Sequence, residues 1–107
     1  MRRSFVLSLC ALLAACAGGD PSALRARPPV VYIQSSHAVW PVARCLADRL
    51  GGRLQARGNG AQELQFGGDW LLSVMPGATG TVVAARRGRG GESRESEVRY
   101  AIARCAV

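Results

Sequence analysis

The side chains able to do chemistry in this chain are few and scattered. Its single histidine, His37, follows Ser35 and Ser36. Sequence neighbours rarely present a nucleophile, a base and an orienting group in the mutual geometry that acyl transfer needs. Asp48, Glu63 and Asp69 stand alone in different stretches, so no pair of carboxylates can be inferred for acid–base work. Gly58-Asn59-Gly60 and Gly88-Arg89-Gly90-Gly91 read as turns, because neither continues from a strand into a nucleotide-binding fingerprint. These residues predict no enzyme and no cofactor. The densest charge is Arg86-Arg87-Gly88-Arg89 with Arg94. The glycine-rich stretch Arg86 to Gly91 reads as a loop whose guanidinium groups would suit bidentate pairing with phosphate or carboxylate. Trp40 and Trp70 offer stacking surfaces, although aromatic side chains of this size more often fill a core or its edge.

The amino terminus carries a different kind of signal. Arg2 and Arg3 precede an apolar run from Phe5 to Ala15, and Leu13-Ala14-Ala15-Cys16 ends that run with small residues before a cysteine. The layout is that of an export signal. The run is about 11 residues long, whereas a helical membrane span needs roughly 20. The tetrapeptide resembles the lipobox of bacterial lipoproteins. That resemblance implies a signal peptide over residues 1–15 and a diacylglyceryl thioether on Cys16, the first residue of the mature chain. It also implies an acylated amino terminus; two or three acyl chains hold a protein on a membrane where one binds marginally. The competing reading is an ordinary secretory signal cut after Ala15 or Ala17, with Cys16 incidental. Arg2-Arg3-Ser4-Phe5-Val6 also resembles part of a twin-arginine signal, but no lysine follows the apolar pair, and general export is favoured. Ala17 after the cysteine, where an aspartate would favour inner-membrane retention, points to the outer membrane and its periplasmic face.

With Cys10 lost in the signal and Cys16 consumed by lipid, Cys45 and Cys105 remain as a pair in an oxidising compartment, which predicts a disulfide. Closing the chain from residue 45 to residue 105 would constrain the unfolded state by roughly 4 kcal/mol. That is large beside the net stability of a small domain. Two buried free thiols are the alternative. A metal pair is disfavoured, because two cysteines and His37 do not make a four-ligand set. All 14 basic residues are arginine. Without Arg2 and Arg3 the arginines still outnumber the seven acids, leaving a basic mature chain. An exported basic chain meets lipopolysaccharide phosphates, acidic lipids or peptidoglycan carboxylates, and no nucleic acid is expected.

These features must be held by a small domain. Residues 16–29 contain Gly18-Gly19, Asp20-Pro21 and Pro28-Pro29 without apolar periodicity and read as a lipidated tether. The domain is expected over residues 30–107, a length at which only about 60 to 65% of the unfolded surface is buried and a disulfide helps. Val30 to Gln34 is β-branched and reads as a strand. Pro41 is tolerated only in a first turn, which sets a helix near residues 39–50 that ends at Gly51-Gly52. Val42, Ala43, Cys45, Leu46 and Leu50 share one arc of it, with Arg44 and Asp48 turned away. From Arg53 the pattern changes to short runs split by glycine: 53–57, 62–66, 70–75 and 81–87, an antiparallel meander. Ser93 with Glu95 offers the start of a last helix up to Ala106, with Val98, Ala101, Ile102, Cys105 and Ala106 on one face. The alternation of Val98, Tyr100 and Ile102 keeps a strand open there.

The expected fold is α+β, a two-layer sandwich with two helices on one face of an antiparallel sheet in the order β-α-β-β-β-β-α. Helices side by side on one face would bring Cys45 and Cys105 together. In layout and cysteine placement the chain faintly resembles small uncharacterised proteobacterial lipoproteins, a resemblance that implies no activity. Two functions are expected from different classes: a structural or protein-interaction lipoprotein of the outer membrane, or a binder of envelope polyanions through Arg86, Arg87, Arg89 and Arg94.

Overall fold

The computed structural model describes residues 20–107. The predicted signal peptide and the lipid position Cys16 lie outside the described residues. The elements are α1 (Pro21–Arg25), β1 (Val31–Ser35), α2 (Val39–Leu50), β2 (Arg53–Gly58), β3 (Ala61–Phe66), β4 (Trp70–Pro76), β5 (Thr81–Arg87), a 3-10 turn over Arg89–Arg94, and α3 (Glu95–Ala106). The five strands form one antiparallel sheet in the order β1-β5-β4-β3-β2. The α+β class, the strand sequence and both long helices agree with the expectation from periodicity. Residues 95–106 are helix, not strand.

Period-two alternation sorts the sheet into two faces. The register aligns Val31 with Ala85, Ile33 with Val83, Val74 with Val83, and Leu72 with both Ala85 and Leu64. These residues face α2 and α3 and, with Val42, Leu46, Val98 and Ile102, make the main core. Phe66 and Trp70 are cross-strand partners whose rings stack nearly parallel at 6.0 Å between centroids.

Local chemistry explains where the helices start and stop. Pro41 is the third residue of α2, inside the first turn where a missing N–H costs no helical bond. Gly51 closes the helix at φ +77° and donates its N–H to the Ala47 carbonyl. Gly52 is required for a second reason. At φ +93°, a Cβ there would run into the Gln65 carbonyl oxygen and the Phe66 Cβ, so the return from α2 into β2 passes directly over β3. Cys45 on α2 and Cys105 on α3 are joined in a disulfide, their Cα atoms 5.6 Å apart.

One expectation needs correcting. Residues 16–29 read as a tether, yet Pro21–Arg25 is a helical turn whose Leu24 is only 5% exposed. Asp20 is its N-cap, accepting from the Ser22 N–H at 3.1 Å, and Pro21 occupies its first position. The turn packs on β4 and β5. There the opposite parity buries Leu71 and Ala84, which lie outside the main core. The folded domain thus includes residues ahead of Val30, and the sheet is covered, thinly, on its second face as well.

Candidate functional site

The arginine stretch does not act as one unit, and the reason is strand geometry. β5 continues through Arg87, so Arg86 and Arg87 point to opposite faces of the sheet. Arg87 faces the helices, where its Nε donates to Glu95 Oε1 at 2.8 Å and its Nη1 lies 3.6 Å from Glu92. Arg86 faces α1, where its Nε donates to the Arg27 carbonyl at 2.9 Å. Arg94 is committed three ways. It pairs with Glu97 at 2.7 Å, lies 5.0 Å over the Phe66 ring, and donates to the Leu50 carbonyl at the end of α2. Arg89 is exposed on the 3-10 turn. The predicted flexible basic loop is therefore a strand end followed by a 3-10 turn pinned by Trp70, whose Nε1 donates to the Gly91 carbonyl at 3.0 Å. Existing carboxylate partners reduce what Arg87 and Arg94 can offer a ligand.

A second arginine group, not singled out by sequence reasoning, gathers on the α1 side. Glu63 points to that face from β3 and is 6% exposed. Arg25 from α1 clamps it in a two-pronged pair, Nε to Oε2 at 2.8 Å and Nη2 to Oε1 at 2.6 Å. Arg57 stands 3.9 Å from the same carboxylate. Hydrogen bonds from Arg25 hold the Glu63 carboxyl below the usual glutamate range; burial opposes this, and the positive charges of Arg25, Arg57 and Arg86 reinforce it. Arg53 and Gln65 are cross-strand partners on this face at the β2 edge. The sequence signal available for this group was the Asp20-Pro21 helix start, which places Arg25 on the sheet.

His37 is tied into structure. Its carbonyl accepts from Thr81 Oγ1 at 2.7 Å, its N–H donates to Ser35 Oγ at 3.1 Å, and its Nε2 lies 3.1 Å from the Val107 carbonyl oxygen. Ser35 Oγ donates in turn to the Ala106 carbonyl. Ser35 and His37 thereby fasten the end of α3 to the β1–α2 connection, and Nε2 of the ring is directed at a backbone oxygen. Trp70 is buried in the core, whereas Trp40 is exposed with the Arg44 guanidinium 6.0 Å from its ring. Among the described residues no cluster of His, Cys, Asp and Glu is placed to hold a metal, and no helix is long and apolar enough to cross a membrane.

Fold and site together describe a small α+β domain, its two long helices stapled to each other over a five-stranded antiparallel sheet. No protein-family model, curated protein or solved structure matches the chain.

Proposed function

We propose that this chain is an envelope lipoprotein, anchored through lipid on Cys16 to the outer membrane, whose domain serves as a structural or protein-interaction accessory. The observation that carries the reading is the bonded Cys45–Cys105 pair. It joins elements 60 residues apart in sequence, and such a bond persists in the oxidising compartment to which a lipobox would deliver the protein. The packing of α1 on the sheet adds support. Only three residues separate Cys16 from Asp20, the cap of α1, so the domain would ride close to its anchor. Polyanion binding through Arg86, Arg87 and Arg89 as one loop has less support, since Arg86 and Arg87 diverge and Arg87 is paired.

The test is intact mass and membrane fractionation of the expressed chain beside a Cys16→Ala variant, with and without an inhibitor of the lipoprotein signal peptidase. Acyl mass on residue 16 and membrane flotation, both lost in the variant, are expected. Soluble protein cut elsewhere in both would overturn the anchor.

A further inference from the structure

Resting on that anchor, we infer that the α1 side of the sheet is the face laid against the membrane, where its arginines meet anionic phospholipid headgroups. The first argument is reach. The four residue steps from Cys16 to Asp20 span at most about 14 Å, so Asp20, where α1 starts on the sheet, would stay within that distance of an acylated Cys16. α2 and α3 lie on the far side of the sheet, one layer spacing of about 10 Å further away.

The second argument is the chemistry of the face. It carries Arg25, Arg27, Arg53, Arg57 and Arg86 against three carboxylates: Glu63 is sealed under Arg25, Asp69 is half-buried at the β3–β4 turn, and Asp20, which caps α1, is the exposed one. Arg27, Arg53 and Arg57 remain exposed. On the same face, at the opposite edge of the sheet from Arg53 and Arg57, Tyr32 on β1 is 61% exposed and offers an apolar ring with a polar tip, the kind of side chain that settles at headgroup depth. The half-buried Met75 and Val82 share the face. The helix side is basic too, but its exposed acids Asp48, Glu92 and Glu97 are interspersed among its arginines, and a mixed surface of that kind is repelled by anionic headgroups as well as attracted.

The experiment is arginine modification by phenylglyoxal, read by peptide mass mapping, on acylated full-length mature protein. Detergent-solubilised protein is compared with protein in phosphatidylcholine vesicles and in vesicles that also contain phosphatidylglycerol. In the anionic vesicles, modification of Arg27, Arg53 and Arg57 should slow about fivefold. Arg44, Arg49 and Arg104, exposed on the helices, should react as they do in detergent. High salt should remove most of the protection. Equal reactivity of all six, or protection of the helix set, overturns the docking face. Equal protection in both vesicle types overturns the headgroup chemistry. Protein without acyl mass on residue 16 fails at the earlier step and removes the anchor itself, so the two failures are told apart before any arginine is mapped.

Discussion

The two faces of one sheet are covered by different means. Over one face lie two twelve-residue helices, α2 and α3, a continuous apolar cluster and a disulfide. Over the other lies a single helical turn with one buried leucine and one clamped carboxylate. Leu71 and Leu72 are adjacent in β4 and both fully buried, yet they belong to these two different layers. The difference shows how a short chain divides its apolar side chains. Too few are present for two thick layers, so one face holds the domain together and the other is closed with little more than Leu24 and an ion pair. That leaves the second face polar at its surface and open to a partner that brings its own apolar or anionic surface.

Breaking the thick side at its staple should have the largest effect. Replacing Cys45 and Cys105 together by alanine should lower unfolding free energy by about 4 kcal/mol in urea titration, since the bond closes most of the domain into one loop. A loss under about 1 kcal/mol would show that helix packing on the sheet holds α2 and α3 in place unaided. The comparison sharpens within a single strand. Leu72→Ala should cost about 3 kcal/mol, because helices on one side and strands on both flanks prevent the cavity from collapsing. Leu71→Ala should cost about 2 kcal/mol, because the one-turn cover above it can settle into the space. Equal costs, measured by the same titration, would make the α1 side a second core and undo the contrast.

The same division decided what the sequence could reveal. Elements facing the helices were legible because periodic stretches repeat the same instruction: five inward positions in α2, the alternating Leu54 and Ala56, Leu64 and Phe66, Leu72 and Val74 of β2, β3 and β4, and Pro41 to set the helix start. Pairing of Cys45 with Cys105 was legible once Cys10 was read as part of the leader and Cys16 as the lipid position, and the fold joins the two. α1 was not legible by periodicity, since five residues with one leucine have no measurable period. Its Asp20-Pro21 start is present in the sequence all the same, inside a stretch that reads as a tether because it has no apolar periodicity. The arginine stretch misled for a related reason. Glycines at 88, 90 and 91 suggested a loop from Arg86 onward, while the β-branched run before them carried strand geometry through Arg87 and split neighbouring guanidiniums across the sheet. The Glu63 cluster needed α1 on β4 and β5 before it existed, and no local pattern announces a contact between residues 25 and 63.

Acid should separate the two faces in the gentlest way. Glu63 on the α1 side and Glu97 on α3 both have carboxyls held below the usual range, each first by hydrogen bonds from an arginine, Arg25 and Arg94 respectively. For a depressed carboxyl the unfolded chain takes up its proton first as pH falls. Its stabilisation is therefore complete above the ordinary glutamate value near 4.3 and is lost as pH drops through the lower folded value. Glu63→Gln should thus lower the urea midpoint at neutral pH and converge on the parent protein as the solution is acidified below about pH 4. Glu97→Gln should follow the same course with smaller amplitude, because its side chain is 49% exposed against 7% for Glu63 and water screens the pair. Salt makes the distinction sharper: at about 1 M the Glu97 difference should vanish while most of the Glu63 difference survives, since a buried pair is screened far less than an exposed one. If both differences vanish together, the clamp under α1 is an ordinary surface pair. The second face would then be held by Leu24 and the Arg86 bond to the Arg27 carbonyl.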